Sequence, residues 1–146
     1  AQFSIVGSRP TDAVLSLARL SGVVVTGSVP DVRPYLAHAT CAVAPLRIAR
    51  GVQNKVLEAM AMSRPVVATP QAAEGIRAVA GRDYILARGE AEFACAVSAQ
   101  LLTVTFAESA RDCVLTHYDW TRNLVAIAPL FEPGATPTPV LETCLA

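Results

Sequence analysis

The residues best placed to do chemistry lie together between Arg47 and Glu58. Two arginines, Arg47 and Arg50, lead into Gly51, and Gln53, Asn54, Lys55 and Glu58 follow. A short apolar run, Cys41–Ala44, stands before this stretch, and another, Pro65–Thr69, stands after it. That order predicts strand, loop, helix, strand, the repeating unit of a parallel α/β sheet. A helix that starts after a parallel strand carries unpaired backbone N–H groups at its tip, which suits an anion. Glu58 falls seven residues past Gly51, about 10 Å along a helix axis at ~1.5 Å per residue. One helix could therefore hold a phosphate at its tip and the hydroxyls of a sugar further along its side. Taken alone, the same residues have a simpler reading. Lys55 and Glu58 then form an i, i+3 ion pair on a solvated face, worth ~0.2–0.5 kcal/mol, and the arginines are solvated loop charges.

Periodicity supplies the elements that must position these groups. At 100° per residue, Val52, Val56, Leu57, Ala59 and Met60 share one arc of the central helix, and Asn54, Lys55 and Glu58 share the other. Upstream, FSIVG (Phe3–Gly7) and VVVTG (Val23–Gly27) read as strands ending in glycine. Between them Thr11 or Asp12 caps a helix reaching Leu20. A short helix begins at Asp31, with Val32, Tyr35, Leu36 and Ala39 facing inward. Downstream of the Pro65–Thr69 strand, residues 71–81 carry turn residues and little pattern. Tyr84–Ala87 is a last short strand. Helices follow over 90–102, 106–117 and 121–131, with Trp120 as a packing anchor before the last. The strands are continuous apolar runs, as a sheet covered on both faces requires. The expected fold is a doubly wound, Rossmann-like parallel sheet occupying residues 1–132, with a flexible Pro/Thr-rich tail over 133–146. Because the chain opens directly on a strand, a preceding βα unit is expected to be missing.

Composition narrows the function. Twelve basic and twelve acidic residues cancel, so no general field draws nucleic acid or anionic lipid. No apolar run approaches the roughly 18 residues of a membrane span. Cys41, Cys95, Cys113 and Cys144 lack the paired spacing of a metal site. The first three read as small buried hydrophobes, which favours a reducing cytosol. His38 and His117 have no partner by spacing. Gly7-Ser8-Arg9-Pro10 lacks the G-x-G-x-x-G of dinucleotide binding. Gly27-Ser28-Val29-Pro30 is a turn that could also lie beside a base.

The segments VVVTGSVPDVRPYLAHATCAVAPL, RGVQNKVLEAMAMSRPVVAT, EGI and YDW resemble the C-terminal domain of family 4 retaining glycosyltransferases of the GT-B fold, in particular bacterial sugar transferases of exopolysaccharide synthesis. The resemblance runs from about Phe3 to Phe131. It implies a nucleotide-sugar-binding domain that uses a UDP- or GDP-sugar as substrate, with no cofactor and no metal. A separate N-terminal domain would bring a glycan or lipid-linked acceptor and a basic pair that neutralises the leaving diphosphate. The fragment alone would then be inactive. Glu58 corresponds to the carboxylate that accepts from the donor's ribose hydroxyls. Gly51, Val52, Gln53 and Asn54 correspond to backbone that touches diphosphate or sugar, Gly27 to the turn beside the base, and Lys55 is grouped with them. Arg50 stands where the family's Glu-x7-Glu pattern has its first glutamate. The catalytic assignment falls on it, as a cation for the diphosphate or for an acidic sugar. The location implied is cytoplasmic, or peripheral at the inner membrane through the N-terminal domain. Two alternatives are a nucleotide-binding regulatory domain without transfer chemistry and a UDP-sugar 2-epimerase-like enzyme.

Overall fold

The structure is a computed structural model that describes residues 1–103 and 105–131. The expected tail therefore lies outside the described residues. Five strands run in chain order with the helices between them: β1 Phe3–Val6, β2 Val23–Gly27, β3 Ala42–Ala44, β4 Val66–Ala68 and β5 Ile85–Leu86. Every ladder is parallel, but among the described residues the strands form two sheets. β1 pairs with β2, Phe3 opposite Val23 and Ile5 opposite Val25. β4 lies between β3 and β5, with Ala42 opposite Val66 and Val67 opposite Ile85. The chain thus has the parallel α/β order that the sequence predicts, with its described strands in two separate ladders.

The helices are α1 Asp12–Ser16, α2 Arg33–His38, α3 Asn54–Ala61, α4 Pro70–Ala73, α5 Gly89–Leu102, α6 Glu108–His117 and α7 Trp120–Ile127. Short 3-10 turns extend α1 and α7. Thr11 caps α1 by accepting from the Val14 N–H. Asp31 accepts from the Arg33 N–H at 2.9 Å, so its carboxylate turns the chain two residues ahead of α2. α4 falls in a stretch that lacks periodicity. Its signal is the Thr69-Pro70 pair: the Thr69 hydroxyl accepts from the Ala72 N–H, and Pro70 is the first helical residue.

The core sits on the second sheet. Val56, Ala59 and Met60 of α3 pack with Val66 and Ala68 of β4, Ala72 of α4, and Ala110 and Cys113 of α6. Val67, between the two inward residues of β4, is equally buried on the opposite face. α5 also packs against β4. β4 is therefore covered on both sides, as its unbroken apolar run requires.

Three packing expectations change. Val52 precedes α3 and is 42% exposed, so it is not part of the buried arc. Trp120 is 77% exposed at the first position of α7, so it anchors no packing among the described residues. Of the cysteines, Cys113 is buried, Cys41 half-buried and Cys95 exposed. Spacing shows that a cysteine lies on a helix, but which face it occupies depends on packing.

Candidate functional site

The loops that leave adjacent parallel strands meet at one edge of the sheet. β3 runs into residues 45–53 and then α3, while β4 runs into α4 and then Glu74-Gly75. Thr69, just past β4, ties these connections together. Its hydroxyl bonds the carbonyls of Ala44, at 3.3 Å, and Leu46, at 2.7 Å, while its N–H donates to Ala44. Farther out, Gly75 lies against the other loop. A Cβ there would stand 3.7 Å from Val52 Cγ2 and 3.9 Å from the Gly51 carbonyl carbon. Gly75 has φ +77° and Gly51 has φ +67°, the left-handed conformation that favours glycine at both positions.

Gln53 holds the turn at Gly51. Its side-chain amide donates to the carbonyls of Arg50, at 3.3 Å, and Gly51, at 3.0 Å. Gln53 is also the residue before α3, and it gives the helix no side-chain cap. Among the described residues, the backbone N–H groups of Gly51, Val52, Gln53, Asn54 and Lys55 donate to no protein group. A run of unpaired amides entering a helix carries the positive end of the helix dipole, and this is an anion-binding arrangement.

The charged side chains around this tip are placed differently from one another. Arg47 pairs with Glu90 at 3.1 Å, linking the β3 loop to the first turn of α5. Both partners are almost fully solvated, so the pair adds little stability. Arg50 is exposed, and its side chain is in no ion pair or hydrogen bond among the described residues. Lys55 and Glu58 are exposed too, and no ion pair joins them. The Glu58 carboxylate is therefore not neutralised by its helical neighbour. It stands four residues beyond Asn54 on the same helix, about 6 Å along the axis. Gly27 ends β2 in the other sheet, with φ +69° and open space where a Cβ would go.

A cleft of about 400 Å³ opens beside α4, lined by Pro70, Gln71, Ala73, Glu74, Tyr84 and Leu86. It adjoins the Gly75 contact through Glu74, whereas Glu58 is not among its lining residues. Thr69, Gly75 and the cleft residues were not identified as site residues from the sequence. Thr69 carried a readable sign in the Thr-Pro helix start after an apolar run, and Glu74 and Gly75 lie in the EGI segment of the resemblance. Elsewhere, Asp83 is buried and held by the Arg82 guanidinium at 2.9 Å and by the Val79 N–H at 2.8 Å. The guanidinium holds its carboxyl below the usual carboxylate range, against the opposing effect of burial.

A Rossmann-like α/β domain of the kind that makes up half of a GT-B fold is thus defined by the strand order and its crossovers. Over residues 1–103 the chain matches the family described as Glycosyl transferases group 1, and it belongs to that family. Among solved structures it is similar to the crystal structure of TarM, with 16% sequence identity and a TM-score of 0.65. The likeness covers 90% of this chain and 29% of the TarM chain, and at that identity it establishes the fold alone. No curated protein matches the chain significantly. No helix among the described residues is long and apolar enough to cross a membrane.

Proposed function

We propose that this domain binds the nucleoside-diphosphate end of a UDP- or GDP-sugar. In a full-length protein it would serve retaining transfer of the sugar to a glycan or lipid-linked acceptor. The reading rests on the five unpaired amides from Gly51 to Lys55, braced by Gly75 at the carboxyl edge of β3 and β4. These amides donate to the diphosphate oxygens. As the sugar leaves, negative charge grows on the phosphate oxygens, and dipoles already fixed in place stabilise it without reorganising. Arg50, exposed beside the tip, adds a mobile cation. Glu58, unpaired one turn down α3, accepts from the ribose hydroxyls. Exopolysaccharide synthesis on the cytoplasmic side of a membrane is the setting proposed for the whole protein, and the fragment alone transfers nothing.

Calorimetric titration of the 146-residue chain with UDP, GDP and their glucose conjugates tests the reading. Saturable binding is expected, and Glu58→Ala should weaken it by about 1.5–3 kcal/mol, the range for hydrogen bonds to a charged group. Absence of binding by the wild-type chain, or equal binding by Glu58→Ala, would sink it. A full-length protein that binds the donor and leaves it intact would indicate the regulatory alternative.

A further inference from the structure

We propose that Tyr118 is a positioning residue for the donor site, acting through the Arg77 peptide on the Glu74-Gly75 loop; the proposal rests on the donor-binding reading above. Tyr118 immediately follows α6, and its hydroxyl accepts the Arg77 N–H at 2.6 Å across 41 residues of sequence. The carbonyl of the same Arg77 accepts from the Cys113 thiol, also on α6. Both polar backbone groups of one loop residue are thus held by side chains of one helical segment. Within the loop, the Ile76 N–H donates to Ala73 and the Ala78 N–H donates to Ile76. Little slack remains between the grip at Arg77 and Gly75, two residues away.

What α6 grips matters because of what else it holds. Cys113 and Ala110 share a core cluster with Val56, Ala59 and Met60 of α3. At the far end of α3, the Ala107 N–H donates to the Ser63 carbonyl at 2.9 Å, and the Ser63 hydroxyl donates to Glu108 at 3.3 Å. Gly75 in turn lies against Gly51 and Val52 at the near end. The contacts form a closed circuit: α3 to α6, α6 to Arg77, Arg77 to Gly75, and Gly75 back to the approach to α3. Tyr118 fixes Gly51 and Val52 relative to α3, the helix that carries Glu58, and acts only through the Arg77 peptide. Its ring is half-buried, so Tyr118→Phe keeps the packing and removes only the acceptor.

The test compares Tyr118→Phe with Ser109→Ala. Ser109→Ala loses another hydroxyl–backbone bond from α6, in which the Ser109 hydroxyl donates to the Arg82 carbonyl. Amide exchange on the ligand-free chain should quicken about tenfold or more at Ile76 and Ala78, whose N–H groups are bonded within the loop on either side of Arg77, in Tyr118→Phe only, as expected for a loop released from its anchor. Calorimetry with UDP and GDP should show affinity about tenfold lower in Tyr118→Phe and unchanged in Ser109→Ala. Unchanged exchange at Ile76 and Ala78 overturns the positioning role without reference to any ligand. Unchanged affinity in Tyr118→Phe, with the wild type binding, overturns the proposal alone. A wild-type chain that binds neither nucleotide overturns the donor reading and this proposal with it.

Discussion

The first 43 residues and the remainder of the described chain have equally clear sequence patterns and very different interiors. The β1–β2 sheet is built from FSIV and VVVTG, runs rich in large apolar and β-branched residues. Yet no residue before Ala44 is buried, and Phe3 and Val24 are 44% and 41% exposed. β2 carries three consecutive valines and β4 two valines and an alanine, but only in β4 are the residues all buried between helices. The difference lies in the cover. α3, α5 and α6 close on β4, whereas α1 and α2 contain no buried residue. An apolar run encodes a strand, and its stabilisation comes only from what packs over it.

The largest effects should separate the two regions. Met60 is fully buried where α3 meets β4 and α6, so Met60→Ala is expected to cost about 3–4 kcal/mol. Val25→Ala in β2, half-buried at its strand centre, should cost below about 1.5 kcal/mol. Thermal and urea unfolding of the two variants measures this directly. Equal losses would mean that β1 and β2 belong to the same cooperative core. Hydrogen exchange refines the comparison: Val66–Ala68 amides should open only with global unfolding, and Ile5 and Val25 by cheaper local opening.

The charged pairs repeat the contrast. Asp31–Arg33 in the first region is exposed at both partners, while Asp83 in the second is buried beneath Arg82. Asp83→Ala leaves the Val79 N–H without its acceptor and is expected to cost about 2–3 kcal/mol. Asp31→Ala loses the exposed ion pair and the bond from the Arg33 N–H and should cost less than Asp83→Ala. The Asp83 carboxyl is lowered in the folded state, chiefly by its hydrogen bonds from Arg82. Its contribution is therefore complete above the ordinary value of 3.8 and is lost as pH falls through the lower folded value. The stability gap between wild type and Asp83→Ala should narrow only in that acid range. A gap that closes between pH 5 and 7 would refute this assignment.

How much was legible follows the range of the interaction involved. The strands and all but the shortest helix could be read because the signals are local: β-branched runs, caps at Thr11, and glycine at strand ends. The Gly51 turn and the tip of α3 were legible for the same reason. α4 was missed although Thr69-Pro70 marks its start, because four residues show no period. The contact of Gly75 with Val52 spans 23 residues and the bond from Arg77 to Tyr118 spans 41. Neither is encoded in any local pattern. Tyr118 belongs to the YDW segment, a resemblance visible in the sequence, but only the fold shows that its hydroxyl holds a loop beside the site.

The smallest predicted effect tests whether α7 behaves like the first region. Trp120 is the single tryptophan in the chain, and an aromatic residue at a helix start is ordinarily a packing anchor. Here it is 77% exposed, and its successors along the same helix face, Leu124 and Ile127, are 50% and 42% exposed. Asp119, beside it, does the local structural work by accepting the Arg122 N–H at 2.8 Å. Trp120→Ala should therefore shift stability by less than about 0.5 kcal/mol, as surface substitutions do, while Asp119→Ala should cost about 1 kcal/mol through loss of the cap. The native fluorescence should match that of a solvated indole and change little on unfolding. A blue-shifted native emission, or a Trp120→Ala loss exceeding that of Asp119→Ala, would place α7 with the core and move the boundary between the two regions.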